Sequence, residues 1–250
     1  MPDPNFRQQL ADALADFARA PLAEASATLF GRLGYGSKRR LQFPSLTELL
    51  AQFDTSGSVA EKLPKTGSKS PVTVVQLTSE EIAANSGGQL ASLAGSGADL
   101  RQIESYLFLT IALPESDYTR TQLADYARAI NSLFPQPVLV LFQHGGTISL
   151  AITYRRTNKR DASRDVIARK VTLIRDIACA QPHSGHLAIL EDFSLPALCR
   201  ARQRDIRSFA DLDDAWRESL STQLLNREFY REIANWYFWA REHAIFPKDA

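Results

Sequence analysis

The chain has 250 residues, 44% hydrophobic and 23% charged, with a formal net charge of +1. It is long enough to bury a sizeable core, and its near-zero charge excludes a wholesale polyanion binder, so any nucleic-acid contact must come from a local patch. Two cysteines, Cys179 and Cys199, provide no disulfide framework and favour a reduced, cytoplasmic setting, and no apolar run approaches the ~20 residues that span a bilayer.

From the N-terminus, residues 5–33 read as helix. Leu10, Leu14 and Phe17 recur at helical spacing, and Pro21 suits the first turn of a second helix. The N-terminal stretch lacks the apolar centre of a signal peptide. GYGSKRR breaks the helical pattern, and LTELLAQF predicts a short helix. Residues 54–70 are rich in Ser, Gly and Lys and read as a flexible loop.

VTVVQL (72–77) is a β-branched run bounded by turn residues and predicts a strand. After the Gly/Ser-punctuated NSGGQLASLAGSGADL comes a sharper pattern. YLFLTIAL, PVLVLF and TISLAITYRR are strands, and TRTQLADYARAINSLF is a helix between the first two. Uninterrupted apolar strands expect cover on both faces, and a helix of about 15 residues between them predicts a βαβ unit over 106–143. His144-Gly145-Gly146 predicts an antiparallel hairpin turn. RKVTLIRDI and HLAIL are read as two further strands, and the chain turns helical again from Asp211 to about Ala244.

The expected organisation is an N-terminal helical segment (1–53), a flexible loop (54–70), an α/β sheet domain (71–200), and a basic linker with an aromatic-rich helix (201–250). The fold class is α/β, a mixed sheet with a βαβ unit flanked by N-terminal and C-terminal helices, in the manner of a degenerate restriction-nuclease domain.

Several chemistries fail on spacing. GRLGYGSK places Ser37 before Lys38 and follows a helix, so it is a helix stop and basic turn rather than a phosphate loop. Cys179, His183, His186 and Cys199 lack paired zinc spacings, and no metal or cofactor is expected. GTISLA lacks the last glycine of a nucleophile elbow. Glu115 and Asp117 precede a helix, where acids are favourable without any catalytic role. A metal-dependent nuclease would need an acid at one strand end and Glu-x-Lys on the next, and no predicted strand carries that pair.

The most charged stretch is YRRTNKRDASRDVIARK, residues 154–170, with seven basic residues against two acids. It follows one predicted strand and precedes another, so it reads as a surface loop with Arg155 and Arg169 at its feet. Arg155, Arg156, Asn158, Lys159, Arg160, Arg164, Arg169 and Lys170 are the candidate nucleic-acid contacts, since guanidinium forks grip phosphate and Asn can donate to backbone oxygens. A merely solvated loop is the competing reading. In the C-terminal helix, seven of the eighteen residues from Phe229 to Phe246 are aromatic. Phe229, Ile233 and Trp236 share a face, with Tyr237 and Trp239 beyond it. These five residues are the candidate interaction helix, against the alternative of a helix buried on all sides.

The stretches from Pro137 to Ile177, PHSGHLAIL, and LNREFYREIANWYFWAREHAIFPK together resemble the N-terminal region of large type IIG-like restriction–modification DNA adenine methyltransferases. The resemblance covers roughly residues 100–248. It implies a non-catalytic accessory domain for an S-adenosylmethionine-dependent, adenine-specific methylase in phage defence. Its partners would be the phosphate backbone of duplex DNA and the methylase domain or subunit, engaged through the C-terminal helix. The family's Asn-Pro-Pro-Tyr-type motif and cofactor loop have no match here, so no catalysis is expected of this chain alone. The alternative is a nuclease-like scaffold that docks a methylase or partner protein without touching DNA.

Overall fold

The computed structural model describes residues 4–54, 56–63, 67–78, 81–82, 105–134, 137–157, 165–201, 209–219 and 222–243, with the backbone alone over 4, 154–157, 165–170, 201, 209–211, 213, 217 and 222–228. Six strands form one mixed sheet in sequential order: β1 (Arg40–Phe43), β2 (Val72–Thr78), β3 (Ser105–Ala112), β4 (Val138–His144), β5 (Thr147–Thr157) and β6 (Asp165–Ala178). β3 and β4 run parallel, and the other neighbouring pairs are antiparallel. Eight α-helices flank the sheet among the described residues: α1 (Pro4–Ala15), α2 (Leu22–Arg32), α3 (Leu46–Phe53), α4 (Arg120–Asn131), α5 (Ser184–Phe193), α6 (Leu195–Ala201), α7 (Phe209–Ser219) and α8 (Thr222–His243).

The apolar runs explain the centre of this sheet. Along β3, Tyr106 and Phe108 point into one core while Leu107, Leu109 and Ile111 point into the other. β4 divides likewise, with Leu139 and Leu141 against Val138, Val140 and Phe142. This period-2 division, with both faces apolar, is what a doubly covered strand requires. α1, α2 and the C-terminal helices through α7 close the first face, and α3 and α4 close the second.

The βαβ unit is β3–α4–β4, as the spacing predicts. α4 starts at a reciprocal capping box, in which Thr119 accepts from the Gln122 amide and the Gln122 side chain accepts from the Thr119 amide. At its far end buried Asn131 accepts from the Val138 amide (3.1 Å) and donates towards the carbonyl of Val138 and Oγ1 of Thr153 (both 3.0 Å). One amide thus ties the helix to the start of β4 and to β5. The β4–β5 turn is the expected tight hairpin, with Gly145 and Gly146 at φ +51° and +79°.

Three local expectations change. HLAIL is not a strand: Ser184–Phe193 is helix α5, capped where the Gly185 amide donates to Nδ1 of His183 (3.2 Å). A run of four apolar residues fits either period, and here the cap decides. RLQF, unrecognised in the sequence, is edge strand β1. Within 54–70, Ala60–Lys62 is a 3₁₀ turn held by Asp54, which accepts from the Val59 and Ala60 amides (2.8 and 2.9 Å), while Val59 and Leu63 are buried. The segment NSGGQLASLAGSGADL lies outside the described residues.

No helix among the described residues is long and apolar enough to cross a membrane.

Candidate nucleic-acid interface

β5 and β6 are the longest strands described, with 11 and 14 residues. Their length outruns the sheet. β4 begins at Val138, level with Thr153, because Leu139 pairs with Ile152. Beyond that row the β5–β6 ladder continues alone through Arg155↔Ile167, Arg156↔Val166 and Thr157↔Asp165. Four further residues at ~3.3 Å each carry this two-stranded arm about 13 Å past the last row shared with β4.

The register shifts between Thr153 and Arg155. Thr153 faces Val171 and Arg155 faces Ile167, so residues 168–170 stand opposite Tyr154 alone. A bulge of this kind bends the ribbon and increases its twist. Its root is fixed, since Thr153 and Val171 are buried and Thr153 Oγ1 accepts from Asn131.

Where it is described, at 154–157 and 165–170, the basic stretch is strand, so the ribbon runs past the expected feet at Arg155 and Arg169. Thr, Tyr and Val favour the extended backbone even where the neighbouring charges suggest a turn. Arg155 and Arg156 stand on β5, and Arg169 and Lys170 lie in the bulge of β6. The arm brings these four expected residues together. Asn158, Lys159, Arg160 and Arg164 fall outside the described residues.

The aromatic helix is not buried on all sides. Phe229, Ile233, Trp236, Tyr237 and Trp239 are all solvent-exposed on α8, with Trp236 at 66%. α8 is joined to α5 by Glu232, which accepts from Ser184 Oγ (3.1 Å).

A feature the sequence did not reveal is the α2–β1 loop, residues 34–39. Tyr35 is fully buried, donates to the Phe193 carbonyl (2.5 Å) and accepts from Trp216 Nε1 (2.7 Å). Gly34 has φ +87°, and a Cβ there would lie 2.8 Å from that of Leu195. Glu81 accepts from Ser37 Oγ (2.9 Å) and from the Lys38 and Thr78 amides (both 3.2 Å). Partial burial pushes its carboxyl up, but these hydrogen bonds and nearby Arg39 outweigh that and hold it below its ordinary value. Lys38, Arg39 and Arg40 emerge exposed from this rigid base. The signal was the KRR run beside a short strand, but without the register nothing located it on the sheet.

The other candidates are structural. Buried His144 donates through Nδ1 to the Ser116 carbonyl (3.1 Å) and accepts at Nε2 from Ser149 Oγ (3.0 Å), with Asp176 Oδ1 3.9 Å away. Ser149 is fully buried and also accepts from the Asp176 amide, so this Ser–His–Asp set closes the hairpin and exposes no nucleophile. Glu115 and Asp117 are exposed ahead of α4. Burial pushes the Cys179 thiol up to about 11 and raises that of Cys199, as suits inert core cysteines. His183 and His186 sit at the start of α5, their ring centroids 6.3 Å apart, and burial lowers the His186 pKa, with His183 adding to that. No group of three potential metal ligands occurs among the described residues.

No protein-family model, curated protein or solved structure matches the chain.

Proposed function

We propose that this chain is a non-catalytic DNA-contacting module, an accessory domain of a restriction–modification methyltransferase acting in the cytoplasm in phage defence. The observation that carries the reading is the arm. A two-stranded ribbon projects past the sheet and bears Arg155, Arg156, Arg169 and Lys170 at its base. A ribbon of this width fits the major groove of a duplex, and arginine and lysine supply the sequence-independent phosphate contacts that fix register. The methylase setting is supported by the sequence resemblance alone.

The experiment is a salt titration. Arg155→Ala/Arg156→Ala/Lys159→Ala/Arg160→Ala is expected to weaken binding to duplex DNA. It should also flatten the log–log salt slope by about 0.9 for each phosphate that is no longer neutralised. Curves for wild type and variant that overlay at low salt would sink the reading.

A second reading has its own observation. The exposed aromatic residues of α8 suit a docking surface for a methylase domain or partner protein, because soluble monomers rarely leave large apolar patches bare. Docking through α8 would be insensitive to salt, which separates the two readings. They are compatible, since the arm and α8 are different elements.

A further inference from the structure

We propose that Lys38 and Arg39, braced by Arg40, form a second phosphate-contacting point on the opposite edge of the sheet from the arm, so that one duplex is held at both edges. The inference rests on the nucleic-acid reading of the arm and extends it to residues with no other assigned role.

The placement follows from register. The Gln76 amide donates to the Arg39 carbonyl (3.0 Å), Gln76 faces Leu107, and Leu107 faces Val138. Val138 is level with Thr153, which faces Val171. Arg39 therefore stands on the same cross-sheet row as the root of the arm. Lys38, one residue further out, is level with Tyr154 and the bulge that holds Arg169 and Lys170. Both basic groups lie at one end of the sheet, one just before edge strand β1 and the other in the bulge of edge strand β6. Five inter-strand gaps of ~4.8 Å separate them, about 24 Å across the sheet. At a rise of ~3.4 Å per base pair, that span is shorter than a 16-base-pair duplex is long.

The loop is also preorganised. Tyr35 anchors its inner end in the core, Ser37 Oγ accepts from the Arg39 amide (2.9 Å), and Arg40 Nε donates to the Ser37 carbonyl (2.7 Å). Holding the backbone in place before binding removes part of the ordering cost that a mobile basic loop would incur. Glu81 is the acid in contact with this loop, and it is turned inward. Its Oε1 takes Ser37 and the Lys38 amide, and its Oε2 takes the Thr78 amide and hydroxyl. The Lys38 and Arg39 side chains remain exposed.

The test compares full-length Lys38→Ala/Arg39→Ala with Arg155→Ala/Arg156→Ala on a fluorescent 16-base-pair duplex, by anisotropy across a salt series. Arg40 is left in place because its Nε holds the loop. Each pair is expected to lower affinity by about tenfold at low salt and to flatten the slope by about 1.8. Lys38→Gln/Arg39→Gln, with an unchanged melting temperature, repeats the result without shortening the side chains as far. If the 38/39 variants overlay wild type while the 155/156 variant weakens binding, the second contact point is overturned and the arm stands. If neither pair changes binding, the nucleic-acid reading falls and this inference with it. Weakening by the 38/39 pair alone removes the arm and overturns a duplex held at both edges.

Discussion

Two tryptophan-bearing helices follow one another in the chain and meet opposite fates. In α7, Trp216 is fully buried, edge-on to Tyr35, Tyr106 and Phe108, with its indole N–H satisfied by the Tyr35 hydroxyl. In α8, Trp236 and Trp239 lie more than half exposed, among exposed Phe229, Tyr230, Tyr237 and Phe238. Aromatic content does not separate the two helices; pattern does. Leu212, Ala215 and Trp216 share one stripe of α7, which a single core can swallow. The aromatics of α8 are spread around its circumference, so no single surface covers them all.

The comparison is broken most severely at Trp216. Trp216→Ala removes the hub of the aromatic cluster and is expected to cost about 3–5 kcal/mol, read as a shift in the urea midpoint. The same change at Trp236 should alter stability by no more than about 0.5 kcal/mol, since its ring is mostly in solvent. Equal losses at the two positions would show that α8 is packed in solution.

Tyr35→Phe is the finer cut through the buried side. It leaves the Trp216 N–H and the Phe193 carbonyl without their partner, at a cost of about 1–3 kcal/mol. Burial also raises the Tyr35 pKa well above its ordinary value. The unfolded tyrosine ionises near pH ~10 and the folded one does not, so stability should fall as pH rises past that point and fall less in Tyr35→Phe.

On the exposed side, the chain has three tryptophans, and acrylamide should quench two of them readily and one poorly. Wild type should also bind a hydrophobic dye or self-associate, and Trp236→Ala/Trp239→Ala should reduce that behaviour without lowering the melting temperature. A dye-silent monomer with all three tryptophans shielded would defeat the exposed placement of α8.

The smallest effect is at Glu81. Its carboxyl is held below the ordinary glutamate range, so its stabilising contribution is present above that range and is lost as pH falls through the folded value. Glu81→Gln should lower stability slightly at neutral pH, flatten the acid limb of the profile and leave stability at low pH nearly unchanged.

The sequence made some of this legible and hid the rest for physical reasons. The β3–α4–β4 unit was readable because YLFLTIAL and PVLVLF are apolar at nearly every step, which two covered faces demand. HLAIL misled because four apolar residues carry no period of their own, and its helix is set by His183 and by packing of Leu190 and Phe193. β1 was invisible because only four residues form it and three of them are exposed. The candidate site was half legible. Charge marked residues 154–170, but only strand pairing reveals a ribbon, and only the register across six strands sets Arg39 in line with its root.

The two faces of the sheet also differ in when they can be finished as the chain is made. Among the described residues, the face under α3 and α4 draws its buried residues from positions 46 to 171, so it can close once β6 has formed. The other face needs both ends of the sequence. Arg7 pairs with Glu191 (2.7 Å) and Tyr35 waits for Trp216, pairings that span more than 180 residues. Until α5 to α7 emerge from the ribosome, Leu139, Leu141, Ile148 and Leu150 lack part of their cover. Joining such distant segments is the slow kind of step, and a half-covered sheet is the species most prone to aggregate. Synthesis arrested before α5 should therefore yield an insoluble product, whereas arrest just after α7 should release a domain whose core is already closed.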